Sequence, residues 1–317
     1  MTKLFVIFNP AARGEKSRRL RRFLAARRSE SLTLAATERP GDAQRLAAEA
    51  VTAGYEVVVA AGGDGTINEV VNGLGTSGVT LGVLRVGTVN VFGRELGIPK
   101  DLAAAWAVLE RGRVRAVDLG YAEPVADVGG TDWPAARGAR RYFVQLAGVG
   151  FDAWAVQNAS WKLKKQIGPL SYVWAGLIAV ARPCAPVEVT ALDGVTADPR
   201  SLPPPGATVT ARGTVVLIGN GRRYGGEFAV FPEARLDDGR LDVCVFARGG
   251  YLDVVRYASG VLRGVHTRWK DVTYWQGAEF ICRAVGAAVP FQLDGEIVGM
   301  TPVRFGLLPR ALRVVVP

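Results

Sequence analysis

The sequence is poor in the residues that build metal and disulfide sites. It has three cysteines, Cys184, Cys244 and Cys282, far apart and odd in number. That spacing gives neither a disulfide framework nor a metal-ligand pattern, so reduced structural thiols are expected. The single histidine, His266, excludes most histidine-based zinc sites. No apolar run approaches the roughly 20 residues of a membrane-spanning helix; the longest lies near Tyr172–Ala181. The opening MTKLFVIFNPAARG has an apolar run too short for a signal peptide. The expectation is a cytoplasmic protein that visits the membrane face. Internal repeats and long low-complexity segments are also lacking.

What is present is apolar and basic. Hydrophobic residues make up 49% of 317, enough for a sizeable core and two domains. The 39 glycines and 17 prolines predict many tight turns. The net charge is +10, concentrated at Lys16–Arg22, Arg27-Arg28, Arg137–Arg141 and Lys162–Lys165. Such a surface suits nucleic acid, nucleotide phosphates or anionic lipid headgroups, and composition does not choose among them.

Over the first 115 or so residues, apolar strands alternate with helical periodicity. Strands are predicted at Leu4–Phe8, Leu32–Ala36, Glu56–Ala61 and Thr80–Val83. Helices are predicted at Ser17–Arg28, from Asp42 (as cap) to about Thr52, Ile67–Leu74 and Asp101–Arg111. That alternation argues an α/β domain with an open, mostly parallel sheet. From Arg113 onward strands dominate, interrupted by helices at Tyr172–Ala181 and Leu252–Leu262. A β-rich, antiparallel second domain of two packed sheets follows. The domains expected are 1–115, 116–300 and a tail at 301–317. Exposed loops are expected at Asp127–Arg140 and Pro199–Gly206.

The most informative segment is VVVAAGGDGTINEVVNGL, Val57–Leu74. It reads as a buried strand, a turn through Gly62, Gly63, Asp64 and Gly65, then a helix. Glycines allow positive φ and close backbone approach to a ligand. Thr66 or Asn68 is placed to cap the helix, whose free N–H groups would face an anion. The turn lacks G-x-G-x-x-G and the P-loop lysine. A tight turn without a ligand is the plain alternative, but Asp64 beside phosphates suggests a divalent cation. A second turn, Arg85–Asn90, follows the next strand, with Thr88 and Asn90 suited to phosphate or ribose. Asn9, after the first strand, belongs to the same sheet edge. Late in the chain, Asp294 and Glu296 lie two apart in FQLDGE; on an extended segment both would point to one side. A hairpin turn is the plain reading there.

These stretches resemble the diacylglycerol kinase catalytic-domain family, which includes sphingosine and ceramide kinases and soluble bacterial lipid kinases. The resemblance rests on FNPAARG (Phe8–Gly14), GGDGTINEVVNGL (Gly62–Leu74), LGVLRVGTVNVFGRELGIP (Leu81–Pro99) and VDLG (Val117–Gly120). It continues through LIGNGRRYGG (Leu217–Gly226), PEARLDDGRLDV (Pro232–Val243) and FQLDGE (Phe291–Glu296). It implies an α/β nucleotide domain, a β-sandwich domain, and transfer of the γ-phosphoryl of ATP to a lipid hydroxyl in a cleft between them, with the tail returning to the first domain. It implies ATP contacts from Asn9, Thr37, Gly62, Gly63, Asp64, Gly65, Thr66, Ile67, Asn68, Glu69, Gly87, Thr88 and Asn90. Asp64, Asp294 and Glu296 would be catalytic, with Glu296 as proton acceptor and Asp294 its partner. Arg235, Asp238 and Arg240 would hold Mg²⁺, the arginines through backbone carbonyls. Arg85 stands where the family often has Pro, and Val91 where it often has a second Asp.

Trp154, Trp161 and Trp174 flank Lys162, Lys164 and Lys165, a combination suited to an anionic membrane interface. Core tryptophans and solvated lysines are the plain alternative. Partners expected are ATP and a lipid substrate, with peripheral membrane contact and no nucleic acid; a homodimer is left open. NAD kinase, related in fold and sharing a GGDGT-like turn, is the rival enzyme. A nonenzymatic nucleotide- or lipid-binding regulator is the rival of another class.

Overall fold

The computed structural model describes residues 3–10, 15–27, 30–125, 140–158, 185–193, 195–197, 209–226 and 228–317. The expected helix at Tyr172–Ala181 lies outside these residues, as do Cys184, Trp161, Trp174, Lys162, Lys164 and Lys165. So do the two expected loops, apart from Arg140. The chain divides into two compact units, residues 1–119 with 309–317, and residues 120–308.

In the first unit, strands β1 (Leu4–Phe8), β2 (Leu32–Ala36), β3 (Val57–Gly62) and β4 (Thr80–Arg85) form a parallel sheet in the order β2-β1-β3-β4. Helices α1 (Glu15–Ala25), α2 (Asp42–Thr52), α3 (Asp64–Leu74), α4 (Val91–Glu95) and α5 (Leu102–Arg111) connect and cover it. The apolar run of β3 has a direct cause: Val58, Val59, Ala60 and Ala61 are fully buried, as a strand covered on both faces requires. On α1, Leu20 and Leu24 turn inward while Arg18 and Arg19 stay exposed. Residue Val314 of a late strand pairs parallel with Leu81 of β4.

Two caps differ from expectation. Asp42 opens α2 rather than preceding it: Gly41, at φ 89°, is the N-cap. The Asp42 carboxylate instead accepts the N–H groups of Glu38 and Arg39, and those two bonds hold its pKa below the usual carboxylate value. Likewise α3 begins at Asp64 with Gly63 as N-cap, so Thr66 and Asn68 lie inside the helix and cap nothing.

The second unit is β-rich and antiparallel. Its strands are β5 (Arg113–Pro124, entering from the first unit), β6 (Arg141–Phe143), β7 (Leu146–Gly150), β8 (Val187–Ala191), β9 (Thr196–Ala197) and β10 (Thr210–Gly213). They continue as β11 (Val215–Gly219), β12 (Arg223–Tyr224), β13 (Phe228–Ala229), β14 (Leu241–Phe246), β15 (Val272–Gly277), β16 (Glu279–Ala284), β17 (Pro290–Leu293), β18 (Glu296–Met300) and β19 (Val303–Val316). Helices α6 (Phe151–Asn158) and α7 (Tyr251–Leu262) interrupt them. One sheet runs β18-β17-β7-β11-β14-β15-β9, and β10-β8-β16-β19 forms the layer facing it. Side-chain alternation shows the packing. Val243 and Val245 of β14 enter the core between the layers with Val189, Phe280 and Phe305; Cys244 and Phe246 turn to the other face, onto Val254 and Tyr257 of α7. Both described cysteines, Cys244 and Cys282, are free and buried. The expected α/β sheet followed by a β-rich sandwich is therefore present. Helix α6 and strand β18 add to the expected elements, and the two apolar runs of the tail are one strand, β19.

Helices α2 and α3 approach closely at Gly73. A Cβ there would lie 2.2 Å from the Gln44 carbonyl oxygen and 2.6 Å from Ala47 Cβ. Backbone cannot yield as a side chain does. We expect Gly73→Ala to cost about 1–3 kcal/mol through overpacking, despite the roughly 1 kcal/mol by which helices favour alanine. Urea denaturation should show a lower midpoint at unchanged slope; an unchanged midpoint would refute the close fit.

Candidate functional site

The two glycine turns of the first unit are joined through one carbonyl. Gly62 O accepts the N–H of Val86 at 3.2 Å, that of Gly87 at 3.1 Å, and Asn90 Nδ2 at 2.9 Å. The backbones touch as well: a Cβ on Gly87 would sit 2.6 Å from Gly63 Cα, and one on Gly62 would sit 2.4 Å from Thr66 Oγ1. None of Gly62, Gly63, Gly65 and Gly87 has positive φ. At Gly62 and Gly87 the glycine serves close approach, not the left-handed conformation. That conformation falls on Asn90, at φ 49°.

Asp64 completes the junction. Its Oδ1 accepts the Val91 N–H at 2.7 Å, so the first residue of α3 holds the start of α4. Gly63 O accepts the N–H of Ile67. The N–H groups of the preceding first-turn residues have no intrahelical acceptor, by helix geometry, and with the helix dipole they make a position that favours an anion.

The remaining expected contacts sort by placement. Thr88 is exposed, and Gly63, Gly65 and Thr66 are half-buried at the turn. Asn9 and Thr37 follow β1 and β2; the register Phe8↔Ala61 and Phe8↔Ala36 puts them on the edge where β3 ends. Three residues face elsewhere. Ile67 is wholly buried in the core. Asn68 is buried and its Oδ1 accepts from Asn72. Glu69 Oε2 accepts the Ala43 N–H at 3.0 Å, supporting the first turn of α2.

In the second unit, Asp294 and Glu296 do not share an extended segment. Asp294 and Gly295 form a two-residue turn between β17 and β18, at φ 48° and 92°, with Leu293 paired to Glu296. Positive φ at both positions is the hairpin geometry that Asp-Gly favours. The Asp294 carboxylate accepts three backbone N–H groups: Val144 on Oδ2 at 2.9 Å, Gln145 and Leu146 on Oδ1 at 2.9 and 3.0 Å. The same segment is gripped from its carbonyl side. Asn220 Nδ2 donates to Val144 O, and the N–H groups of Asn220 and Gly221 donate to Gln145 O. Glu296 is exposed at the start of β18.

Beneath this hairpin lies a buried polar chain. Tyr224 Oη donates to Asp152 Oδ1, Gln292 Nε2 donates to Asp152 Oδ2 at 2.8 Å, and Gln292 Oε1 accepts the Gly295 N–H at 2.7 Å. Burial pushes the Asp152 pKa up, opposed by the bonds from Tyr224 and Gln292. Sequence reasoning missed Asp152, Gln292, Tyr224, Gln145 and Asn220. The available signal was a polar residue set in an apolar run, as in GVGFDAW and PFQLDG.

The Arg235–Arg240 segment is a turn, with the Arg240 N–H donating to Asp238 Oδ1 at 3.1 Å. Arg235, Asp238 and Arg240 are exposed, and the set offers one carboxylate and two carbonyls. Oxygen donors alone fit Mg²⁺ in kind. Among the described residues there is no cluster of three His, Cys, Asp or Glu side chains, so a metal would have to rely on carbonyls. Nearby, burial pushes the Asp242 pKa up to about 7, against hydrogen bonds from Tyr274 and Gln276.

Comparison with known proteins places this geometry. Residues 3–122 match the model of the diacylglycerol kinase catalytic domain, and residues 145–316 match the YegS C-terminal NAD kinase beta sandwich-like domain. A diacylglycerol kinase of Bacillus subtilis is 32% identical over 285 residues, 89% of this chain and 84% of that protein. A Pseudomonas aeruginosa protein named "Probable lipid kinase YegS-like" is 32% identical over 310 residues, 94% of this chain and 89% of its own. A crystal structure of a diacylglycerol kinase from Bacillus anthracis shares the fold at a TM-score of 0.71 and 23% identity, covering 99% of this chain and 97% of its own.

The hub at residues 144–146 gives a direct test. Asp294→Ala leaves three partly buried N–H groups without their acceptor and should cost about 2–4 kcal/mol. Asp294→Asn, which keeps one acceptor oxygen, should cost less. Chemical denaturation of the two variants checks the order; equal stability to the parent would refute the hub.

Proposed function

The chain belongs to the diacylglycerol kinase catalytic-domain family of bacterial lipid kinases, and from that premise we propose that it transfers the γ-phosphoryl group of ATP to a lipid hydroxyl, diacylglycerol or a related glycerolipid or sphingoid. The observation that carries this reading is the doubled turn at Gly62 and Gly87. It aims the N-terminus of α3 outward, and a helix N-terminus is a ready site for phosphates.

In this reading the α3 amides and the Gly63 and Gly87 backbones receive the nucleotide phosphates. Asn9, Thr37, Thr66, Thr88 and Asn90 shape the same edge; Gly62, Asn68 and Glu69 act through the fold of the turn, and Ile67 through the core. When bound, Mg²⁺ would neutralise charge on the transferring phosphoryl. Asp64 supplies a carboxylate at the start of α3 and keeps α4 in place. Glu296 takes the proton from the acceptor hydroxyl, and Asp294 positions it by fixing the hairpin turn. Arg235, Asp238 and Arg240 would hold a structural Mg²⁺ that braces their own turn.

Among the described residues no helix is long and apolar enough to cross a membrane. Peripheral contact with an anionic membrane face belongs to the same reading, and Trp154 is exposed. NAD kinase is the second reading, favoured only by the sandwich-like C-terminal match.

Asp64→Asn tests the donor side cleanly, because the amide oxygen can still accept the Val91 N–H. It should lower kcat by about 10²- to 10³-fold, as loss of one electrostatic stabiliser does, with the thermal midpoint nearly unchanged. Glu296→Gln should lower kcat by about 10²-fold or more. ATP consumption should be measured across diacylglycerol, monoacylglycerol, phosphatidylglycerol, sphingosine and NAD. A lipid hydroxyl should stimulate it; turnover with none of the five would sink the kinase reading, and turnover with NAD alone would replace it.

A further inference from the structure

Arg85 ends β4, and its side chain has an unusual setting. Its stem lies along Gly93, where a Cβ would sit 2.7 Å from Arg85 Cγ. Nη1 donates to the Ile98 carbonyl at 2.7 Å, while Nε is buried with no acceptor. Burial, and then the charge of Arg94, hold its pKa below the ordinary arginine value; Asp64 acts the other way.

Arg85 lines a cavity of about 310 Å³ with Arg19, Val86, Lys100, Asp101 and Leu102. Three cations therefore face one carboxylate. That carboxylate is already engaged: Asp101 Oδ1 caps α5 by accepting from Ala103 and Ala104, and Oδ2 lies 3.4 Å from Arg19. A half-buried guanidinium with two further cations along the same cavity favours an anion beside it.

We propose that this cavity binds a phosphate group, at a subsite separate from the glycine turn. A planar guanidinium on the cavity wall matches phosphate oxygens, and Arg19 and Lys100 supply the charge that a dianion needs. The source is either free phosphate or the headgroup of a phosphorylated lipid; only the second source rests on the lipid-kinase reading. The substitution of Arg at this point of the second turn then has a use: it adds an anion contact that the more usual Pro does not offer.

Calorimetric titration of the whole protein with inorganic phosphate tests the site without any turnover. The parent should bind saturably. Arg85→Met, which keeps the stem over Gly93, and the double substitution Arg19→Gln with Lys100→Gln, both on exposed side chains, should each weaken binding by roughly tenfold or more, the worth of one charge-assisted hydrogen bond. Asp64→Asn should bind phosphate as the parent does. Phosphatidylcholine vesicles with and without phosphatidic acid then separate the sources. Displacement of phosphate by the acidic vesicles identifies a lipid headgroup, and displacement by neither identifies free phosphate; both uphold the site. No saturable phosphate binding would overturn the proposal. So would binding unaltered in the exposed double variant, or lost in Asp64→Asn but kept in Arg85→Met. Kinase turnover without this binding would overturn the subsite alone, and binding without turnover would overturn the kinase reading alone.

Discussion

The first unit depends on two backbones being allowed to touch. A Cβ on Gly87 would sit 2.6 Å from Gly63 Cα, and the close approach that its absence allows lets one carbonyl, Gly62 O, gather three donors. A carbonyl has two lone pairs, so three donors make a concentrated anchor rather than an ideal one. Asp64 adds the fourth tie, from the start of α3 to the start of α4. The result is a fixed edge. The start of α3 is thereby tied to the second turn and to α4 by the fold itself.

The second unit has an analogous hub with the polarity reversed. There three backbone N–H groups converge on one carboxylate, Asp294, while the opposite side of the same short segment is held by Asn220. Buried polar networks of this kind are costly when incomplete and rigid when complete. The chain from Tyr224 through Asp152 and Gln292 to the Gly295 amide extends that rigidity into the turn that carries Glu296.

The sequence made the architecture legible because burial leaves a local trace. Val57–Ala61 is apolar throughout since both its faces are covered, and the β14 stretch Val243–Phe246 is apolar for the same reason. The glycine turns were legible as breaks after such runs. The function of individual acids was not. Asp42 and Glu69 are drawn to backbone amides of α2 and the loop before it, and Asp294 to amides some 150 positions away in the chain. Nothing in a local window marks a carboxylate whose partner is a distant main-chain N–H. Similarly, Asp-Gly announced a turn, but the extended alternative survived until the register Leu293↔Glu296 closed the hairpin. Arg85 stood out as a departure from a pattern, while the cavity around it needed the fold to bring Arg19 and Lys100 alongside.

The strand β19 passes from the second unit into the first, where Leu312 and Val314 are buried and Val314 joins β4. The second unit is thus an insertion within the first, in chain order. On the ribosome this sets a sequence of events. The parallel strands β1 to β4 and the whole of residues 120–308 are synthesised before residues 309–317 become available to the first sheet. The first unit must wait, with one edge of β4 unfilled along that stretch, until the chain has been read through its insertion; the unit begun first is completed last.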